Sequence, residues 1–242
     1  MKGKTSDSIS STKAQTAKST RSFKICTTVI EEDVEEACRI AEEALAMGSD
    51  LVEIRLDALK DLNVQLVREH LSPFVNRCVL TLRSGIEGGF FTGKPSEYSE
   101  AIASFADMKP AYVDVEIRML PSVNLMEFRK ADLILSYHNL KCTPRLSVLK
   151  GIRDQGSKLG LVKLVTRMKK KEDQERVFAL YSGFEGRLVA FCIGKEGLSS
   201  RLRSISLGAP LVYAAYRKSL VSEELGQPSL RQMLDFKRSL LN

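Results

Sequence analysis

A lysine lies in the middle of an apolar, β-branched run, "LGLVKLVTR", residues 159–167. Such runs are typical of strands buried on both faces, where an ammonium group loses much of its hydration. Lys163 could be a structural lysine whose stem packs against apolar neighbours while its head reaches water. It could also be a lysine with a lowered pKa, whose uncharged amine attacks a carbonyl carbon. The stretch alone favours the structural interpretation.

The chain has two histidines, and one of them ends a strand-like run. His138, in "SYHN", has an unperturbed pKa near neutrality, which suits a general acid or base. Together with Lys163 on the next predicted strand and nearby carboxylates and arginines, it suits chemistry on an anionic carbonyl compound through an imine. His70, in "VREHLSP", is predicted to close a helix and to have no functional role.

The elements that must position these residues alternate between strand-like and helical patterns from Phe23 onward. Strands are predicted over residues 24–30, 50–57, 77–83, 111–118, 132–139, 159–167, 188–194 and 210–216. Helical segments lie between them, such as "EEDVEEACRIAEEALAMG", whose apolar stripe is closed by Gly48. Eight β-then-α units over residues 23–242 predict an α/β protein, a single (β/α)₈ TIM barrel. A doubly wound sheet is the rival, but the turn after the first strand, "CTTVIEED", lacks its glycines.

Charged and polar residues recur at every second position near the ends of several predicted strands. They occur in "EIRLD" at 53–57, "TLR" at 81–83, "VDVEIR" at 113–118 and "SYHN" at 136–139. Residues two apart share one face of a strand, and charges facing the outer helices would be stranded in apolar surroundings. Any one of these sets of alternating polar residues, called polar ladders below, could be a structural ion-pair network. With Lys163 they are predicted to meet in the barrel mouth, where active sites of this fold lie.

The first 22 residues account for most of the charge excess. The chain has a formal net charge of +7, and this tail holds five basic residues against one acidic residue, so it carries +4. It has ten Ser or Thr residues and little apolar bulk, which predicts a disordered tail over residues 1–22. A short transit peptide is the minority interpretation. The body has no basic block interleaved with aromatic residues, so nucleic-acid binding is not expected.

The cysteines and the hydropathy pattern bear on the compartment. Five cysteines are widely spaced, with no Cys-x-x-Cys pair and no neighbouring histidine, so we expect reduced thiols and no metal site. The sequence contains no apolar stretch of about 20 residues, the length that a membrane span needs. We therefore expect a soluble, cytoplasmic protein without a membrane contact.

Seven motifs in this order resemble those of the type I 3-dehydroquinate dehydratases, from about Phe23 to the C-terminus. They are "EIRLD" at 53–57, "TLRSGIEGG" at 81–89, "VDVE" at 113–116, "SYHN" at 136–139, "VKLV" at 162–165, "GKEGLSSR" at 194–201 and "GQ" at 226–227. The resemblance implies a hydro-lyase of the shikimate pathway to aromatic amino acids. It would convert 3-dehydroquinate to 3-dehydroshikimate by syn elimination through a lysine imine, without metal or organic cofactor. The family is commonly homodimeric.

The resemblance also implies a role for each matching residue. Lys163 would form the imine, His138 would transfer protons, and Glu87 would orient and polarise His138. Arg201 would bind the substrate carboxylate. The ring oxygens would be held by Glu53, Arg55, Arg83 and Gln227. Without the resemblance, Glu53 and Arg55 could simply pair with each other, and Arg201 could serve packing.

The end of the chain departs from the family pattern. The family often has Ser-Ala-Pro-Gly-Gln before its last helix, whereas this chain has "SEELGQP". Ser222, to which the resemblance assigns a role in substrate binding, is thus one residue further from Gln227 than in the family pattern. A hydroxyl from Thr27 or Thr28 is a further candidate, and the sequence does not choose between them. Glycine and loop content predicts lids at residues 84–98 and 218–229.

Two other functions are consistent with parts of the sequence. A class I aldolase acting on a small keto acid or a sugar phosphate would use the same lysine imine to cleave a C–C bond. For a sugar phosphate it would favour a phosphate cradle after the last two strands. A non-enzymatic protein that binds nucleic acid through its basic tail is the other alternative.

Overall fold

The computed structural model describes residues 22–129, 131–217 and 219–240. The predicted tail therefore lies outside the described residues, apart from Ser22, and its disorder stays a prediction. None of the described helices has the length and apolar character that crossing a membrane requires.

Eight parallel strands form one sheet that curls into a nearly closed barrel. The strands are β1 (Lys24–Val29), β2 (Leu51–Arg55), β3 (Cys78–Thr81), β4 (Tyr112–Glu116), β5 (Leu133–Asn139), β6 (Leu161–Arg167), β7 (Leu188–Ile193) and β8 (Leu211–Ala215). The spatial order is β7-β6-β5-β4-β3-β2-β1-β8, with every ladder parallel. Within the described residues no ladder joins β7 to β8. The predicted (β/α)₈ barrel is confirmed.

Eight α-helices lie along the described parts of the chain, mostly between the strands. They are α1 (Val34–Met47), α2 (Val64–Leu71), α3 (Pro95–Ala106), α4 (Leu146–Ser157), α5 (Lys171–Phe178), α6 (Gly197–Ser206), α7 (Leu220–Glu224) and α8 (Leu230–Ser239). Helix α1 ends as predicted at Gly48, whose φ of 112° is left-handed and therefore favours glycine. His70 lies in the last turn of α2, also as predicted.

The connection from β4 to β5 differs from the predicted β-then-α pattern. Its described residues form two short 3₁₀ helices, Ile117–Ser122 and Leu125–Phe128, and no α-helix. Pro121 lies inside the first one and has no backbone N–H to continue an α-helical ladder. Asn124 then caps the second one by accepting a bond from the N–H of Met126. A proline and a capping asparagine so close together leave too few residues for a full α-helix.

The strands separate an outer core from an inner one. Alternate residues such as Ile54, Leu80 and Leu135 are buried in the cluster between the sheet and the helices. The residues between them fill the barrel interior. Near the N-terminal ends of the strands this interior is apolar, with Leu51, Val79, Ile134, Leu161 and Leu211. Two residues further along most of these strands the inward side chains become polar, which gives the barrel an apolar floor below a charged mouth.

Candidate active site

A cavity of about 630 Å³ opens at the carboxyl ends of the strands. Its volume is within the range of small-molecule sites. It is lined by all nine residues that the sequence predicts for the site: Glu53, Arg55, Arg83, Glu87, His138, Lys163, Arg201, Ser222 and Gln227. The position agrees with the location of active sites in (β/α)₈ barrels.

Lys163 lies deep in this cavity, with 4% of its surface exposed. Its Nζ donates a hydrogen bond to Oε1 of Glu53 at 3.0 Å and lies 3.5 Å from Oδ2 of Asp114. The ring of Tyr213 lies on another side, with its centroid 3.7 Å from Nζ. The free-energy cost of burying Lys163 is thus offset by two carboxylates and the face of an aromatic ring. The register that places Lys163 opposite Ser136 brings it to the same level as the polar residues of β5.

The carboxylate of Glu53 accepts hydrogen bonds from three side chains. Thr81 donates to Oε1 at 3.1 Å and Thr28 donates to Oε2 at 2.9 Å, while Lys163 completes the set. Burial raises the pKa of Glu53, but the charges of Lys163, Arg55 and Arg83 outweigh burial and bring the pKa down to about 2. Glu53 is therefore a fixed carboxylate at neutral pH.

Glu87 and His138 form a second buried pair, contributed by the loop after β3 and the end of β5. Oε2 of Glu87 accepts hydrogen bonds from the backbone N–H of His138 and from its ring Nδ1, each at 2.9 Å. A carboxylate on Nδ1 selects the tautomer with the hydrogen there and leaves the lone pair of Nε2 free. Gly88 supplies the turn after Glu87, with a φ of 85°. The arrangement can accept a proton at Nε2.

The pKa values of this pair move in opposite directions. Burial lowers the pKa of the His138 imidazole well below 6.5, and the surrounding cations, first Arg83 and then Lys163, lower it further. Burial raises the pKa of Glu87 to about 7; Arg83 and Arg118 counteract that rise, whereas Glu116 adds to it. His138 is therefore neutral at neutral pH and available as a base.

Arg83 is the centre of a buried polar network at the ends of β3, β4 and β5. Its NH1 donates to Ser136 at 2.9 Å, to Glu116 at 3.2 Å and to Glu87 at 3.3 Å, and its NH2 donates to Asp114 at 3.0 Å. One guanidinium is shared by three carboxylates. Arg83 therefore positions the acidic residues around the cavity, in addition to lining the cavity itself.

Arg55 is oriented by the carboxylate that follows its strand. Its Nε and NH2 donate to the two oxygens of Asp57 at 2.8 and 2.7 Å, a bidentate pair. The same carboxylate accepts bonds from the backbone N–H groups of Arg83 and Phe90. Asp57 thus ties Arg55 to the loop after β3. The alternative pairing of Glu53 with Arg55 is not the direct contact that the structure shows.

The side of the cavity formed by β7 and β8 is mostly apolar, and Arg201 is its buried cation. The guanidinium lies over the ring of Phe191 at 4.1 Å, and Nε donates to the carbonyl of Gly226 at 3.2 Å. Among the described residues no carboxylate lies within ion-pair distance of Arg201. Burial lowers the pKa of this guanidinium to about 9, and only Glu53 opposes that shift. The side chain is equipped to receive an anion from the cavity.

The segment before α8 closes this side. Gln227 Nε2 lies 3.4 Å from Oγ1 of Thr28 and completes a row that continues to Glu53. Ser222 lines the cavity, but its hydroxyl donates to the carbonyl of Ser219 and accepts a bond from the N–H of that residue. The hydroxyl of Ser222 is thus engaged in a local turn.

The structure chooses between the two threonines of β1. Thr28 lines the cavity, whereas Thr27 faces outward and bonds to Ser49 at 2.7 Å. Adjacent residues of a strand point to opposite faces, so the sequence would have distinguished the two threonines if the inward face of β1 had been known. Two further residues touch Lys163 without having been assigned a role from the sequence, Asp114 and Tyr213. Asp114 belongs to the polar ladder of β4, whereas an aromatic residue in an apolar strand gave no such signal.

Comparisons with known proteins agree with this geometry. The model of the type I 3-dehydroquinase family matches residues 25–240. A 3-dehydroquinate dehydratase from Pyrococcus abyssi is 35% identical over 215 residues, which cover 87% of this chain and 96% of the relative. Another, from Methanopyrus kandleri, is 32% identical over 219 residues, covering 87% and 98%.

Solved structures are similar in fold. The type I 3-dehydroquinate dehydratase from Clostridium difficile superposes with a TM-score of 0.77 at 20% identity, covering 90% of this chain and 92% of that one. The 3-dehydroquinate dehydratase from Aquifex aeolicus gives a TM-score of 0.71 at 23% identity, covering 90% and 98%. The family match over nearly all of the barrel and the relatives above 30% identity establish that this chain belongs to the type I 3-dehydroquinase family.

Proposed function

We propose that this protein is a hydro-lyase that converts 3-dehydroquinate to 3-dehydroshikimate in the shikimate pathway, through an imine on Lys163. The observation that carries the proposal is the position of Lys163, a buried amine in a cavity that His138 also lines. Family membership supplies the reaction, and the geometry supports the assignment of roles.

Lys163 is the nucleophile in this proposal. Its amine attacks the substrate ketone, the adduct loses water, and the resulting iminium draws electrons from the adjacent carbon, which acidifies the C–H there. Glu53 and Asp114, at 3.0 and 3.5 Å from Nζ, balance the positive charge of the iminium nitrogen. The barrel floor below Lys163 is apolar, which strengthens these electrostatic interactions.

His138 is the proton carrier. It is neutral at neutral pH, because burial and neighbouring cations lower its pKa, and Glu87 fixes its ring through Nδ1. Nε2 takes the proton from the acidified carbon and then delivers one to the departing hydroxyl. One base acting on one face of the ring accounts for a syn elimination. The same group assists the formation and hydrolysis of the imine.

Arg201 binds the substrate carboxylate in this proposal. It is a buried cation without a carboxylate partner in the described structure, so an incoming anion would complete its coordination. Glu53, Arg55, Arg83 and Gln227 hold the ring oxygens. Ser222 contributes only if its hydroxyl leaves the carbonyl of Ser219.

Several other expectations have no direct test in the structure. We propose a cytoplasmic homodimer that acts on the small-molecule substrate alone, with neither nucleic acid nor membrane as a partner. The absence of a metal or organic cofactor follows from the family resemblance and stays a prediction. The same holds for the lids at residues 84–98 and 218–229, of which residue 218 lies outside the described residues.

The geometry after β7 disfavours an aldolase that acts on a sugar phosphate. A Cβ built on Gly197, at the start of α6, would meet the carbonyl oxygen of Leu225 at 2.4 Å. The segment with Gly226 thus packs against the start of α6, and the N–H of Gly197, which a phosphate cradle would use, donates to the carbonyl of Gly194 at 2.8 Å.

The proposed function is tested by mixing the purified protein with 3-dehydroquinate and following the absorbance of the conjugated enone of the product. We expect a steady increase that is abolished in Lys163→Met. Lys158→Met is the matched control, because Lys158 lies at the C-terminal end of α4, before β6, and should leave turnover unchanged. No absorbance change at high enzyme concentration would refute the proposed function.

A further inference from the structure

Glu87 divides its two oxygens between two different partners. Oε2 faces the backbone and ring of His138 and also lies 3.3 Å from NH1 of Arg83. Oε1 accepts a hydrogen bond of 2.7 Å from Nε of Arg118, which is its sole donor among the described residues. The side chain of Glu87 has no exposed surface, so water does not replace these partners.

The cations around Glu87 are few compared with the carboxylates. Arg83 reaches Glu87 but also donates to Glu116 and Asp114. The negative charge of Glu116 opposes ionisation of Glu87, and so does burial. Arg118 is the one neighbouring cation whose bond to Glu87 is not shared with another carboxylate in the described structure.

Arg118 itself lies behind the active site. It belongs to the 3₁₀ helix Ile117–Ser122 after β4, about one third of its side chain is exposed, and it is not among the described residues that line the cavity. Its guanidinium lies over the ring of Tyr137 at 5.7 Å, one residue before His138. The side chain therefore contacts Glu87 directly and the neighbour of His138 in the chain, and it does so from outside the cavity.

We propose that Arg118 is a positioning residue for the dehydration, which keeps Glu87 charged and aimed at Nδ1 of His138. The inference deepens the proposed function and rests on it. A charged Glu87 holds the histidine tautomer whose Nε2 is the base. A protonated Glu87 would donate its own hydrogen to Nδ1, which favours the tautomer with the hydrogen on Nε2 and removes the lone pair that accepts the proton. Arg118 thus extends the working range of His138 toward lower pH.

The direction of the pH effect follows from the charges that face Glu87. Burial and Glu116 raise the pKa of Glu87 to about 7, against Arg83 and Arg118. Removing Arg118 removes one of the opposing cations, so the pKa should rise and the protonated form should persist to higher pH. We expect a shift of roughly one pH unit, at the lower end for an opposite charge in contact, because Arg118 is partly exposed to solvent.

The test compares Arg118→Met and Arg118→Lys with the parent enzyme. The acid limb of the kcat profile should move to higher pH by about one unit in Arg118→Met, while KM and the alkaline plateau stay near those of the parent. Arg118→Lys should cancel part of this shift, since it keeps the positive charge. Arg203→Met is the control, because Arg203 forms a surface pair with Glu175 away from the site. Superimposable acid limbs, or an equal loss of kcat at every pH, would overturn the inference.

A second readout separates this inference from the proposed function. The chain has only two histidines, so the ring signals of His138 and His70 can be assigned by NMR with His70→Ala. The His138 signal should sense the titration of Glu87, with an inflection that lies at higher pH in Arg118→Met. This NMR titration can be measured whether or not the protein turns over a substrate. Absence of turnover in the parent would refute the proposed function, whereas an unmoved inflection would refute the role of Arg118.

Discussion

The two halves of the barrel mouth differ in their polarity and in whether their charged side chains are paired. The charged half, at the ends of β2 to β6, contains Glu53, Glu87, Asp114 and Glu116, and each of these carboxylates accepts hydrogen bonds from the protein. The apolar half, at the ends of β7 and β8, is lined by Phe191, Ile193, Tyr213 and Ala215. Arg201 on this side has no carboxylate partner in the described structure. The hydroxyl of Tyr213 is buried without a hydrogen bond to any described residue.

The difference indicates which half is complete before the substrate arrives. In the charged half, buried charges compensate one another, so the reacting groups are held in place without a ligand. In the apolar half, Arg201 is a desolvated cation, and such a group is costly unless an anion meets it. The substrate carboxylate would supply that anion. Binding energy gained in the apolar half then positions the ketone over the charged half.

The largest effect should come from the charged half. In His138→Ala we expect kcat to fall by about 10²–10⁴-fold, because the proton carrier is lost while Lys163 remains. Some imine should still form and be trapped by borohydride. Steady-state kinetics measures the loss, and His70→Ala is the control because His70 lies in the last turn of α2. Turnover equal to that of the parent enzyme would remove His138 from the mechanism.

A smaller and different effect should come from the apolar half. In Arg201→Met we expect kcat/KM to fall by about 10²-fold, chiefly through KM, because a charge-assisted contact to the substrate is lost. The unfolding free energy should rise by about 1 kcal/mol or more, since an unpaired buried cation is removed. Kinetics and denaturant unfolding measure both quantities.

The matched control for Arg201 lies in the same helix. Arg203→Met removes a cation of α6 that is about half exposed and pairs with Glu175, so neither quantity should change by much. A loss of stability in Arg201→Met would contradict the distinction between the halves, because it would mean that Arg201 is already compensated within the protein.

The smallest effect should come from Tyr213→Phe. This change keeps the ring beside Nζ of Lys163 and removes the hydroxyl that has no hydrogen bond in the described structure. The unfolding free energy should stay the same or rise by up to about 1 kcal/mol, because a buried unpaired hydroxyl is unfavourable. Thermal and urea unfolding measure it. A decrease of more than about 1 kcal/mol would show that the hydroxyl has a partner in solution.

The charged half was largely predictable from the sequence, because residues two apart in a strand lie on the same face of the sheet. Glu53 and Arg55, two apart in β2, line the same cavity as His138 of β5 and Lys163 of β6. The prediction was wrong for Arg118, which does not line the cavity, because the chain leaves β4 for a 3₁₀ helix at Ile117. The strands predicted over 50–57 and 77–83 were nevertheless too long at their carboxyl ends, whereas those predicted to end at 139 and 167 do end there. Arg83 and Asp57 lie beyond β3 and β2, where side-chain bonds to backbone N–H groups replace the sheet ladder.

The rest depended on contacts between distant parts of the chain. Nothing local indicates that Arg118 reaches Glu87, since 31 residues separate them and the intervening helix sets the approach. The lack of a partner for Arg201 is a property of the whole apolar half. The 3₁₀ connection after β4 was missed because its length suited a helix, although Pro121 opposed one.

The central claim is that Lys163, in the charged half, becomes covalently bound to the substrate. Borohydride reduction in the presence of 3-dehydroquinate, followed by peptide mass analysis, tests it directly. We predict one adduct on the peptide that contains Lys163, no adduct in Lys163→Met, and full labelling of Lys163 in Lys158→Met. An adduct on a different lysine, or one that persists in Lys163→Met, would contradict the account.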